Sequence, residues 1–377
     1  IKSRLVVLGN LQKEADLFDD KLTSPTPSIH TILIQATRAA AENREVVTFD
    51  VGQAFLNAQL ETTDREHIVL RLSAPVADIL VNLDCSYKQY MCKDGTLLVK
   101  LKKALYGLRQ APRVWFDTIR AFLLHHGFQQ SKLDDCFFWK QYPDSTSIDI
   151  AIHVDDGMVT TDTLPRLNSL LAALKDKFKI LKVTTGNRQE YLSMVFDFNR
   201  VSRTVSVTMP KYANKVLSEY PIESHKVVST PNDKDLFKIN NSSALSKEDQ
   251  QLFHSTVMRI LFYASRVRPD ILVTVNFLTT RTRFGTATTD DRSKLIRLLN
   301  FIHTTQQDGI ILGGDSDGML RIRAYADASY GVHVDGKSHT GNVITLGRGP
   351  IYCKSSKQKS VTKSSCEAEI LALSDIA

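Results

Sequence analysis

Hydrophobic and polar positions divide the chain into short stretches of distinct period. A basic, strand-like run opens it, Ile1-Lys2-Ser3-Arg4-Leu5-Val6-Val7. Apolar spacing from Ser28 to Ala41 predicts a helix. The β-branched run Glu45–Val51 predicts a short buried strand that carries an acid, Asp50, near its end, and Ala54-Phe55-Leu56 opens a turn or helix. Val114, Trp115, Ile119, Phe122 and Leu123 predict an amphipathic helix over 114–126, with Gly127 as its stop. Ser147–Val154 then alternates, with Ile148, Ile150, Ile152 and Val154 apolar, and Met158-Val159-Thr160 follows Asp155-Asp156-Gly157. This pattern predicts a hairpin with two acids at its tip. Leu164–Phe178 reads as a helix and the polar stretch Lys234–Asp249 as a linker or exposed loop. Residues 253–305 are helical in pattern, broken at Pro269 and near Gly285. Gly313–Gly318 marks a boundary, followed by a strand over Met319–Tyr325 with Asp327 beyond it, a turn and strand over Gly341–Leu346, and a helix starting at Glu367–Leu373.

The length of 377 residues predicts two or three domains. Hydrophobic residues at 42% and charged residues at 24% are ordinary globular values, which excludes a disordered chain, a collagen-like repeat and a disulfide-rich miniprotein. No apolar run approaches the ~20 residues of a membrane helix, so no membrane partner is expected. The opening at Ile1 and the close at Ser374-Asp375-Ile376-Ala377 read as a segment of a longer product. Five cysteines without a C-x-x-C spacing read as free thiols, not as a zinc site.

Forty-eight Lys+Arg against 41 Asp+Glu give a net charge of +7. The excess is mild, but its distribution is uneven. No acid lies between Asp94 and Asp117, where Lys100, Lys102, Lys103, Arg109 and Arg113 fall. None lies between Asp335 and Glu367, where Lys337, Arg348, Lys354, Lys357, Lys359 and Lys363 fall. Such windows suit contact with phosphates, although a solvated face has the same composition.

Asp50 and the pair Asp155-Asp156 each sit at the end of a predicted buried strand. Carboxylates buried together repel and lose hydration, and a divalent cation removes both costs. Mg2+ takes hard oxygen ligands, and two such ions can activate an attacking oxygen and stabilise a leaving one. By itself an Asp-Asp-Gly is more often a turn. Context adds to it. Phe49–Asn57 resembles the first polymerase motif of reverse transcriptases, and Leu101–Trp115 is similar to a block specific to Ty1/copia-type retrotransposon polyproteins. His153-Val154-Asp155-Asp156 resembles that family's acid hairpin, Lys2–Val6 its fingers strand, Arg266–Ile271 its Arg-Pro-Asp segment, Ala324–Ser329 its first ribonuclease H strand and Ser364–Glu369 its following helix.

The resemblance implies an α+β right-hand polymerase with a helical connection and a partial, α/β ribonuclease H-like domain. Fingers and palm would span 1–209, the thumb 210–250, the connection 251–315, and the truncated ribonuclease H part 316–377. It implies an RNA- and DNA-directed DNA polymerase that uses two Mg2+ ions per active site on Asp50, Asp155 and Asp156. Lys2, Arg4, Phe55, Gly107 and Gln110 would bind the nucleotide, with Phe55 screening the sugar 2′-OH. Lys102, Lys103, Arg109, Arg113, Lys357 and Lys359 would bind nucleic acid. Asp327 and Glu369 would be catalytic and metal-binding acids of the ribonuclease H part. The implied partners are RNA template, DNA primer, RNA–DNA hybrid, deoxynucleoside triphosphates and other parts of the polyprotein (integrase, capsid). The implied location is a cytoplasmic virus-like particle with a nuclear phase. His153, Gly157 and Leu8 depart from the family pattern, which leaves open a second reading: a decayed or domesticated nucleic-acid-binding module.

Overall fold

The computed structural model describes residues 5–12, 22–60, 68–222, 226–283 and 285–377. The chain forms two compact units. One comprises Ile1–Pro27, Phe49–Val159 and Leu164–Val183, and the other Ser28–Thr48, Thr160–Thr163 and Thr184–Ala377.

Helix α1 is Ile29–Ala41, capped by the Ser28 side chain, and strand β1 is Glu45–Val51, buried on both faces as its β-branched sequence predicts. A short α2 (Ala54–Asn57) follows. Strands β2 (Val69–Leu72) and β3 (Leu97–Lys100) pair antiparallel around α3 (Ala74–Leu83), with Leu72, Ala77 and Leu97 as their own small core. Helix α4 is Ala111–His125, started by Pro112 in its first turn and ended by Gly127 at φ +79°. Next come β4 (Gln129–Gln130), β5 (Phe137–Gln141), β6 (Ser147–His153), β7 (Asp156–Thr161), α5 (Leu164–Phe178) and β8 (Leu181–Thr184). One six-stranded sheet runs β4-β5-β6-β7-β1-β8. Strand β6 is central, so Ser147 and Asp149 are buried along with its isoleucines. Helices α4 and α5 meet through Trp115, Phe122 and Phe178, with ring centroids 5.1 and 5.4 Å apart.

In the second unit β9 (Arg188–Tyr191), β10 (Met194–Asn199), β11 (Thr204–Thr208) and β12 (Ile310–Gly313) form an antiparallel sheet in the order β12-β11-β10-β9. Helices α6 (Pro210–Ser218), α7 (Lys247–Val267), α8 (Leu272–Thr279) and α9 (Thr289–Thr304) belong here, with breaks at Pro269 and around Gly285 as predicted. Buried Arg268 bonds Asp270 through Nη2 at 2.7 Å and the Thr305 carbonyl through Nη1 at 2.9 Å. The Arg-Pro-Asp segment thus fixes the corner between α7 and α8. A three-stranded antiparallel sheet follows, β13 (Ile322–Ser329), β14 (His339–Leu346) and β15 (Pro350–Lys357), covered by α10 (Ser365–Ser374).

Three expectations shift. Lys234–Asp249 is not freely exposed: Leu236 and Leu245 are buried, Leu245 N–H donates to the Ala287 carbonyl at 3.0 Å, and α7 already begins at Lys247. The strand expected over Met319–Tyr325 starts later, at Ile322, after a turn at 316–318 where Asp315 and Asp317 accept from Arg321, so Asp327 lies within β13. Leu5–Val7 joins no sheet. Val7 N–H donates to the Tyr106 carbonyl at 2.8 Å, and the Val7 carbonyl accepts from Gly9 N–H at 3.0 Å.

Candidate active site

Asp50 is the last residue but one of β1. The next residue, Val51, donates its N–H to the Asp155 carbonyl at 2.8 Å. Gly52 N–H then reaches the Ile180 carbonyl at 2.9 Å, and a Cβ on Gly52 would lie 2.3 Å from the Ile180 side chain. Only glycine allows that approach. On the other side the β6–β7 hairpin turns over two residues, Val154 and Asp155, and Asp156 is the first residue of β7. Val154 has φ +53°, an unusual value for a β-branched residue. The three acids expected from the pattern therefore meet at one end of the sheet, all half-buried.

Their electrostatics record the crowding. Burial, the neighbouring Asp155 and then Asp50 push the Asp156 carboxyl from 3.8 up to about 6. Hard carboxylate oxygens that repel one another suit a divalent cation. Among the described residues no three His, Cys, Asp or Glu side chains form a group arranged to hold a metal ion. Mg2+ asks for less, since it takes one or two protein carboxylates and completes its shell with water and phosphate oxygens. The donor set fits on that basis.

Two neighbours of the acids were not legible as such. Trp115, buried in α4, donates its indole N–H to the Val154 carbonyl at 2.6 Å. The signal available was a lone Trp in the Leu101–Trp115 block, since a buried indole must find an acceptor. The other is Phe49. A Cβ on Gly157 would lie 2.3 Å from its ring, so the Phe49 ring occupies the room of the side chain that Gly157 lacks.

The remaining expected residues separate. Half-buried Phe55 meets Tyr106 edge-on at 4.8 Å, which sets it beside the Leu101–Trp115 block. Gly107 has φ +93°, and a Cβ there would lie 2.0 Å from the Val7 carbonyl oxygen. Here its lack of a side chain admits another part of the chain. Gln110 is buried and accepts from Gln12 Nε2 at 3.0 Å. Lys2 and Arg4 lie outside the described residues. Lys102, Lys103, Arg109 and Lys359 are exposed. Arg113 is held by Asp117 at 2.8 Å and Lys357 by Asp335 at 2.7 Å. Asp327 on β13 and Glu369 on α10 are both exposed, on elements that pack together.

Residues 1–234 match the family model for reverse transcriptase (RNA-dependent DNA polymerase). The chain belongs to the reverse transcriptase family. Over 99% of its length it is 28% identical to the retrovirus-related Pol polyprotein from transposon TNT 1-94 of Nicotiana tabacum, covering 27% of that protein. It is 29% identical over 98% of its length to the corresponding polyprotein from transposon RE2 of Arabidopsis thaliana, covering 23% of it. It is 23% identical over 99% of its length to the transposon Ty1-NL2 Gag-Pol polyprotein of Saccharomyces cerevisiae, covering 21% of it. The chain thus spans about a quarter of these Ty1/copia-type relatives. Among the described residues no helix is long and apolar enough to cross a membrane.

Proposed function

We propose that this chain is the DNA-synthesising segment of a retrotransposon polyprotein. It extends a primer 3′-hydroxyl on an RNA or DNA template with deoxynucleoside triphosphates, releasing pyrophosphate. The observation that carries this is the meeting of Asp50, Asp155 and Asp156, where burial and two like charges raise Asp156 to about 6. Asp50 and the hairpin pair would hold two Mg2+ ions. When bound, they would lower the pKa of the attacking hydroxyl and neutralise charge on the triphosphate. The chain's own part is positioning. Val51 ties β1 to the hairpin, so the carboxylates stay at one sheet end while substrate changes. Phe55 would present a bulky ring to the sugar and so favour deoxynucleotides. Lys2, Arg4, Gly107 and Gln110 would serve the nucleotide, and Lys102, Lys103, Arg109, Arg113, Lys357 and Lys359 the phosphates of the hybrid.

The same reading assigns fingers and palm to 1–209, thumb to 210–250, connection to 251–315 and an incomplete ribonuclease H part to 316–377, with Asp327 and Glu369 as its acids and metal ligands. Integrase and capsid parts of the polyprotein would be its partners inside a cytoplasmic particle with a nuclear phase. The Phe49–Gly157 fit speaks against decay at that departure, because the missing side chain is matched by a ring that fills its place. Primer extension on an RNA template with Mg2+, run beside Asp155→Asn, tests the reading. Extension by the native chain alone supports it. Hybrid binding without extension by either chain would leave the silent binding module.

A further inference from the structure

We propose that Trp115 is a positioning residue for the acid hairpin: its indole N–H holds the Val154 carbonyl and thereby fixes the left-handed tip from which Asp155 and Asp156 project. The inference rests on the polymerase reading of those two acids. Three observations carry it. Trp115 is 1% exposed and its ring packs edge-on against Phe178 at 5.1 Å, so the donor is rigid. Its N–H reaches the Val154 oxygen at 2.6 Å, and Val154 directly precedes Asp155. Val154 itself sits at φ +53°. A β-branched residue keeps such a conformation only where its surroundings over-determine it.

At the tip, Trp115 holds the Val154 carbonyl from α4 and Val51 N–H holds the Asp155 carbonyl from β1. The Phe49 ring lies under Gly157. Without the indole donor, Val154 relaxes toward negative φ. That rotation reorients the peptide before Asp155 and turns its carboxylate away from Asp50. Trp115 touches no reacting atom in this account and acts through the hairpin alone.

The test exchanges the indole N–H for a sulfur that cannot donate. In the full chain Trp115 is replaced by β-(3-benzothienyl)alanine, which keeps the bicyclic shape and lacks the N–H. Mn2+ binding is followed by electron paramagnetic resonance, alongside thermal unfolding, hybrid binding and Mg2+-dependent incorporation. The expected result is unchanged hybrid binding, with Mn2+ affinity and kcat falling ten- to a hundredfold, roughly as for lost partners of metal ligands. KM for the deoxynucleotide should move far less. Val154→Gly in the same chain should recover much of the Mn2+ affinity, because glycine takes a positive φ without strain.

Lower thermal stability with Mn2+ affinity and kcat untouched would overturn the proposal and leave Trp115 a core residue. So would a loss that Val154→Gly does not relieve. Mn2+ binding in the native chain that survives Asp155→Asn would overturn it too. Native Mn2+ binding that requires Asp155 but supports no extension would defeat the polymerase reading alone, and the positioning role would then be judged on Mn2+ affinity.

Discussion

Asp156→Asn removes a charge where the fold already disfavours one. The carboxyl rises from 3.8 to about 6 through burial and through Asp155 and Asp50. A rise of about two pH units is worth at most ~3 kcal/mol at 1.36 kcal/mol each. The site is open to water, and screening reduces this to ~1–2 kcal/mol. The sign follows from linkage. Between 3.8 and about 6 the folded chain keeps a proton that the unfolded chain has released. Stability from this group is therefore lost as pH rises through that window, and the full penalty is present at pH 7. The Asn variant carries no such penalty. Without divalent metal at pH 7 it should unfold higher by about 2–8 °C, using ~2–4 °C per kcal/mol for a unit of this size. The gap should close as pH is lowered from 6 toward 4. Adding Mg2+ should stabilise the native chain and not the variant, since only binding to the folded state shifts unfolding. Thermal unfolding in chelator across pH, repeated with Mg2+, reads all three effects, and primer extension by the variant should be abolished. A variant less stable than native at pH 7 without metal, or a gap that ignores pH, would refute the reasoning.

Gly157→Val should destabilise by about 1–3 kcal/mol, because its Cβ enters the Phe49 ring at 2.3 Å, and adding Phe49→Ala should return part of that loss in denaturant unfolding. Lys102→Ala with Lys103→Ala should flatten the salt dependence of hybrid binding by about 2 in slope, roughly 1 per phosphate contact, measured by titration at several salt concentrations. Arg113→Ala should flatten that slope by less than one phosphate contact's worth, since Asp117 already shares its charge at 2.8 Å. In the second unit burial, with His333 beside it, lowers His339 to about 4, and the two rings share a hydrogen bond at 3.1 Å. The unfolded chain takes up that proton near 6.5 and the folded chain does not, so stability is lost as pH falls from 6.5 to about 4, opposite in sign to Asp156. Amide exchange in β14, corrected for intrinsic rates, should quicken over that range.

Local pattern was legible where one segment answers to its own period. α1, β1, α5 and the β6–β7 hairpin fall where apolar spacing and β-branching put them, because each buries a continuous face. β15 was not legible. Pro350–Lys357 reads as a basic, polar stretch and becomes a strand only by pairing with β14. α3 was missed for a related reason: its small core is shared with β2 and β3, which come together from distant positions. The Arg266–Ile271 block was legible as family pattern, yet its chemistry is packing, with Arg268 buried against Asp270 and Thr305.

The sequence by itself determined the family and the elements that bury a continuous face, and it singled out the three candidate acids, since these lie in residue types at fixed local spacing. Tertiary structure alone decided that Asp50 meets a hairpin about a hundred residues later, that Trp115 closes the tip of that hairpin, and that Phe49 fills the space beside Gly157. The same holds for Gly107, whose missing side chain admits the Val7 carbonyl. The physical reason is common to all four. Spacing along the chain fixes which face a side chain takes, but hydrogen bonds and close packing between distant segments depend on distances that exist only once the sheet has assembled.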